Sequence, residues 1–390
     1  MKKQAILLNR ITYTTIIVFI LIFTIPPTGG MSFKKTLPFD NCLISQLPTF
    51  NGNIWYVGGS GPGNFSTIQD GINVSNTGDT VYVFSDSSPY YENVDVHTTI
   101  DLIGENRETT IIDGGETGFV VGIFADGVNI SGFTIQNSGN TPMYDAGIET
   151  NSNNTIITGN IIRNNGDYAV GIFLNQSSHN HIINNVIYKN GNEGIFLEGS
   201  TYNLIQYNEI FHNGHCSVVI SQSSYNNVFD NNMYENHDAA VSLWPNATNN
   251  EIAYNTIYGN PYSGIGLWET ANNNYVHNNH LYDNPLYGVK LKDAHGNVIE
   301  RNTISGSSKG IILQFSSNTL IKFNNFIDNE QHAWFDNSSQ NRWFRNYWDD
   351  HERLWPKRID GEICLPWDQT KVIRWFNFDW FSSKKPHDII

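Results

Sequence analysis

Two sets of aromatic residues recur at a spacing that would bring them together. Tyr188, Phe211, Tyr234, Tyr258 and Tyr282 follow one another at intervals of 23 or 24 residues, each directly after an aliphatic residue or Met. Trp244 and Trp268 form a shorter pair, 24 residues apart, with Glu198, Glu269 and Lys292 in the flanking segments. Exposed aromatic rings in a row suit the apolar C–H faces of sugars, and an indole N–H can also reach a hydroxyl. The competing reading is that Tyr and Phe are good strand formers and stack on one another. The sequence therefore nominates Trp244, Trp268, Tyr188, Tyr234, Tyr258 and Tyr282 as carbohydrate-binding residues. It expects the two indoles to stand about 5 Å apart along a common axis.

Other chemistry is sparser. His212, His215 and His237 fall at one part of the repeat, and a scattered surface trio is favoured over a zinc site. A catalytic alternative would use residues one before a repeated Asn, namely His212, Glu235 and Asp283. Cys42, Cys216 and Cys364 are odd in number and far apart, which excludes a disulfide framework or a thiolate metal quartet. No cofactor and no metal ion is expected.

The spacing of the aromatics follows from an internal repeat. The unit N-x-I-x-x-N-x-I-x-x-N fits Asn180-Ile182-Asn185-Ile187-Asn190 and Asn203-Ile205-Asn208-Ile210-Asn213, and recurs onward. Its central Asn runs through Asn160, Asn185, Asn208, Asn231, Asn255, Asn279, Asn302, Asn324 and Asn346, at steps of 22 to 25 residues. A Gly followed by a β-branched residue marks most units, as at Gly171-Ile172, Gly194-Ile195 and Gly264-Ile265. That period is too short for a helix pair or a propeller blade, and Leu is not at the fixed places of a leucine-rich repeat. One solenoid coil per repeat remains, an all-β right-handed parallel β-helix with three short strands per coil. The two apolar places of the unit are five apart, so both face inward only if the chain bends at the central Asn. Asn tolerates left-handed backbone angles, and its amide can both donate and accept along a buried column.

The coils need closing at their ends. Phe65, Ile68 and Ile72 have helical spacing over residues 66–74, with Asn64 or Ser66 as cap, and predict a helical plug. Residues 351–390 carry Trp355, Trp367, Trp375, Phe376, Phe378, Trp380 and Phe381 and predict an aromatic cap.

Export is read from the first thirty residues: Lys2, Lys3 and Arg10, an apolar run from Ile11 to Ile25, then Pro26, Pro27, Gly29 and Gly30. This pattern predicts a signal peptide over 1–30, a linker over 31–52, the β-helix over 53–350 and the cap over 351–390. No stable membrane span is expected after processing, and the product would be a secreted or cell-surface monomer. With 37 acidic against 22 basic residues and a net charge of −15, nucleic acid is excluded as a partner. The same charge counts against polyuronates unless cations bridge the two. A polysaccharide or cell-surface glycan is the expected partner.

Gly78-Asp79-Thr80-Val81-Tyr82-Val83, Asp101-Leu102-Ile103-Gly104-Glu105-Asn106, Thr110-Ile111-Ile112-Asp113-Gly114 and the Asn-rich coils together resemble secreted archaeal parallel β-helix repeat proteins. This group is described as NosD-like, or as the carbohydrate-binding and sugar-hydrolase β-helix class with the pectin-lyase-like fold. Asn346-Tyr347-Trp348-Asp349-Asp350 and Asn377-Phe378-Asp379-Trp380 resemble the group's closing segment. The resemblance implies fold and export. Activity is not carried over with it. Polygalacturonase-like enzymes would show an Asn-Thr-Asp, Asp-Asp, Gly-His-Gly and Arg-Ile-Lys series. Here Gly214-His215-Cys216 is the nearest approach, and the Asp-Asp pair Asp349-Asp350 lies beyond the coils. No acidic calcium cluster of a pectate lyase and no Asp-Pro-His-Glu of an alginate epimerase is present. NosD likeness would imply copper, but copper(I) prefers Met and Cys, and the four Met are Met1, Met31, Met143 and Met233. The expectation is a non-catalytic carbohydrate-binding protein, with a polysaccharide lyase or hydrolase, or a structural envelope protein, as alternatives.

Overall fold

The computed structural model describes residues 52–141, 145–351, 355–365 and 368–389. The predicted signal peptide, all but the last residue of the predicted linker, Cys42, Met143 and Trp367 lie outside these residues.

Within them the chain winds as a right-handed parallel β-helix, the hand that parallel crossovers almost always take. Three stacks of parallel strands form its walls. The first contains three-residue strands such as His181–Ile183, Leu204–Gln206 and Asn227–Phe229. The second contains Val186–Tyr188, Glu209–Phe211, Asn232–Tyr234, Thr256–Tyr258 and His280–Tyr282, within a sheet of 12 strands. The third has the longer strands, among them Val170–Asn175, Ile195–Glu198, Ala239–Leu243, Ser263–Trp268 and Tyr287–Lys292. Inward residues stack in register, Ile182 on Ile205 on Val228 and Ile187 on Ile210 on Met233, and all are fully buried.

All nine central Asn residues form one buried column. Asn208 shows the pattern: its backbone N–H and its Nδ2 both donate to Asn231 Oδ1, at 2.9 and 3.0 Å. Nδ2 also donates to the carbonyl of Ile182 at 2.8 Å. Asn180 to Asn297 and Asn165 to Asn284 form two further ladders of the same kind at the other corners. The left-handed angle falls one residue earlier than the sequence suggests. Asn184, Tyr207, Asp230, Tyr254, Asn278, Arg301, Phe323 and Arg345 carry φ between 50 and 60°. Such a residue turns the chain and points its own side chain outward, so bulky types fit there. The Asn is retained for its amide, whose bonds offset the cost of the turn.

The plug is a short helix, Ile68–Asn73, that buries Ile68, Gly71 and Ile72. Its cap is Thr67, whose side chain accepts from the Asp70 N–H, rather than Asn64 or Ser66. At the other end an antiparallel hairpin, Lys357–Leu365 with Asp368–Asp379, covers the last coil. Ile359, Trp343 and Trp348 fill that end, while Trp375, Phe376, Trp380 and Phe381 stand exposed. Asp379 is fully buried and closes the central ladder by accepting from Asn346 N and Nδ2 at 2.9 and 3.0 Å.

Candidate functional site

The outer face of the long-strand stack departs most from the repeat. Along its centre, in strand register, stand Phe173, Phe196, Val219, Ser242, Gly266, Lys290, Ile312 and Trp334. A corner glycine opens five of these eight strands, at Gly171, Gly194, Gly264, Gly288 and Gly310: a Cβ on Gly194 would stand 2.7 Å from Ile210 Cγ2. Phe196 points outward, as its alternation with Ile195 and Leu197 requires, yet it is buried. It packs with Phe173, Val170, Cys216, Val219 and Ala239 into a second apolar cluster, with Trp244 lying against it.

Both tryptophans are half-buried on this face and are tied to one atom. Trp244 Nε1 and Trp268 Nε1 each donate to Ser242 Oγ, at 3.0 and 2.9 Å. The indole N–H groups that the sequence left free for a ligand are thus engaged by the protein. Trp268 lies directly over Gly266, where a Cβ would come within 2.7 Å of Nε1. Its neighbours are Tyr262, at 5.8 Å between ring centroids, and Lys290. Trp244 instead meets Phe196 and His215 edge to face, at 6.0 and 6.1 Å.

Lys290 is buried among three rings, with Nζ at 4.9, 4.8 and 4.7 Å from the centroids of Tyr262, Trp268 and Tyr287. Nζ donates to the Tyr262 hydroxyl at 2.7 Å. Burial holds the amine below its ordinary pKa and pushes the Tyr262 hydroxyl up. The rings recover part of that cost by cation–π attraction.

His215 sits between two carboxylates. Nδ1 is 3.0 Å from Glu193 Oε1 and Nε2 is 3.0 Å from Asp238 Oδ2. Hydrogen bonds to Asp238, the Cys216 thiol and Glu193 push its pKa up to about 12, so the ring is an imidazolium at neutral pH. Burial raises the Cys216 thiol pKa. Sequence reasoning missed this group. The signal was available: Glu193 and Cys216 each precede a Gly or Ser corner one coil apart, and His215 and Asp238 are likewise 23 residues apart. Two coils towards the N-terminus, Glu149 lies in register with Phe173 on the same face, and burial, with Asp145 adding repulsion, raises its pKa.

The tyrosine column is on another wall. Tyr188, Phe211, Tyr234, Tyr258 and Tyr282 stack on the outer face of the second sheet, with centroids 5.0, 4.9, 4.9 and 4.8 Å apart and nearly parallel planes. Tyr188 accepts from Arg163 at 3.0 Å and Tyr234 donates to Glu209 at 2.9 Å. The nominated aromatic residues therefore form two separate surfaces. His212 pairs with Glu235 at 3.3 Å, apart from His215, and both are exposed.

This architecture defines a parallel β-helix protein. Residues 63–285 and 238–371 match the family described as "Periplasmic copper-binding protein (NosD)", and the chain belongs to that family. No curated protein matches. Among solved structures it is similar to the DFA-IIIase of Arthrobacter chlorophenolicus A6, with a TM-score of 0.59 and 15% identity over 77% of this chain and 96% of that one. It is also similar to the Dettilon tailspike protein, with a TM-score of 0.54 and 13% identity over 80% and 72%. The A-module of the Azotobacter vinelandii mannuronan C-5 epimerase AlgE6 gives 0.52 and 18%, over 68% and 90%. These likenesses concern the fold.

The family description raises copper. His215, Cys216 and Asp238, and separately His332, Asp349 and Asp350, hold potential ligand atoms within 4.8 Å of one another. Neither set fits copper(I), which takes soft sulfur donors. The first offers one buried thiol, and both nitrogens of its imidazole are bound to carboxylates. The second offers only nitrogen and oxygen, and Lys357 is bound to Asp350. Met233, the one Met within the coils among the described residues, is buried in the core.

Proposed function

We propose that this is an exported, non-catalytic protein that binds a glycan on the outer face of the long-strand stack. The observation that carries this reading is the Trp268 indole, fixed over Gly266 and linked through Ser242 to Trp244. A half-exposed ring held in one orientation loses little entropy when a sugar packs on it. Lys290 and Lys292 add donors for ring oxygens and hydroxyls. The names of similar structures, an epimerase of mannuronan among them, support a glycan as the partner. The reading includes a leader over 1–30, a linker over 31–52, coils over 53–350 and a cap over 351–390, acting as a monomer in the periplasm or at the cell surface. In it the tyrosine column is secondary.

Glu149 gives a second reading. Glu149 and Asp145, with the Glu149 carboxyl raised by burial and by Asp145, form the pattern of an acid–base pair in a hydrolase. Purified protein incubated with a panel of neutral and acidic polysaccharides separates the two. Saturable binding without new reducing ends or unsaturated products is expected. Product formation that Glu149→Gln abolishes would replace the first reading with the second.

A further inference from the structure

Lysines on this face lack the carboxylate partners found elsewhere. Lys322 pairs with Glu300 and Lys357 with Asp350, as an acidic chain makes easy. Lys290 instead bonds only a tyrosine hydroxyl and faces three rings. Lys292 lies two residues further along the same strand, and so on the same face, in register with Trp268. Lys309 lies one coil on, in register with Tyr287. Among the described residues, no carboxylate comes within ion-pair distance of any of the three.

We infer that the bound glycan carries anionic groups, carboxylate or sulfate, which Lys290, Lys292 and Lys309 recognise beside the Trp268 platform. This rests on the glycan-binding reading above. The net charge of −15 does not prevent it. At physiological salt, charges more than about 8 Å away are largely screened, so a bound anion feels this face, where Asp238 is the carboxylate acting on Lys290 and is itself bound to His215, rather than the whole surface. Burial of Lys290 strengthens this selectivity, because an ammonium with few polar partners gains more from an arriving anion than a hydrated one does. His215 is not available for the same task, since Glu193 and Asp238 already neutralise it.

The test uses titration calorimetry of the whole protein with polygalacturonate, dextran sulfate, dextran and xylan. Binding of polygalacturonate or dextran sulfate, but not of dextran, is expected, and whichever binds identifies the anion. Raising sodium chloride from 50 to 500 mM should weaken it. The Lys292→Gln/Lys309→Gln variant, at two half-buried positions without carboxylate partners, should lose affinity about fivefold with a nearly unchanged melting temperature. Binding of dextran or xylan alone would overturn the inference and leave the glycan-binding reading standing. Anionic binding that ignored both the lysine variant and the salt would also overturn it. No binding to any of the four would overturn both.

Discussion

The second sheet and the long-strand stack are built from the same coils, yet their outer faces differ in kind. On the second sheet an aromatic residue repeats, four Tyr and one Phe, and the five rings stack nearly parallel with each other. On the long-strand face most coils contribute something different: Glu193, Cys216 and Ala239 at one register position, and after the paired Phe173 and Phe196, Val219, Ser242, Gly266 and Lys290 at another. A regular column is its own partner and satisfies itself coil by coil. An irregular face holds buried charges and unequal rings whose arrangement the solenoid does not require. The contrast separates residues that maintain the coils from residues free to meet a ligand.

Four changes would break or sharpen that contrast. The largest effect belongs to the shared interior. Asn231→Ala removes the acceptor for Asn208 N and Nδ2 and the donor to the carbonyls of Ile205 and Phe229. Several buried groups are left unpaired at about 1–3 kcal/mol each. Denaturant unfolding should show a loss of about 4 kcal/mol, and a loss below 1 would contradict the ladder's role.

Next is the imidazolium on the irregular face. His215→Gln leaves Glu193, whose side chain is 4% exposed, without its counter-ion. The partial exposure of His215 and Asp238 reduces the cost to about 2 kcal/mol. The folded pKa of about 12 lies above the ordinary 6.5. This stabilisation is therefore fully present below pH 6.5 and is lost as pH rises from there towards 12. The gap between wild type and variant in denaturant midpoint should narrow across that range. A gap that widened instead would reverse the assignment.

The smallest effects compare the two faces directly. Tyr258→Ala removes two ring contacts and should lower stability by about 1 kcal/mol while leaving glycan affinity unchanged. Trp268→Ala should weaken glycan binding about tenfold. It should also destabilise slightly, since its N–H holds Ser242 and its ring covers Lys290. If calorimetry found the affinity loss in the Tyr258 variant alone, the binding face would be the regular one.

The parts of this molecule that repeat were legible in the sequence, because identical residues at a fixed period allow one physical solution. The Asn column, the inward Ile, Val and Leu, and the stacked tyrosines all follow from that. The Lys290 cage was not, because it is assembled from single residues on different coils, and of the His215 group only the 23-residue spacings of Glu193 to Cys216 and His215 to Asp238 were visible. Their contacts depend on register and rotamer rather than on a pattern. The left-handed residues were misplaced by one because Asn accounts for the turn in general, whereas here its amide has other work and Tyr207 or Arg301 makes the turn. Trp244 and Trp268 were found by spacing, but their shared bond to Ser242 was invisible to it.

Asp379 gives the solenoid a direction and an end. Every Asn in the central column directs its backbone N–H to the side-chain oxygen of the following coil, so an unfinished helix always presents one unfilled request of the same form. Another Asn passes the request on, whereas a carboxylate answers it and has no N–H with which to renew it. The central column thus ends where Asp379 takes the place of an amide. The column behaves as a counter with a stop character, and length is a quantity that whole-coil duplication or excision can change without rewriting the rest.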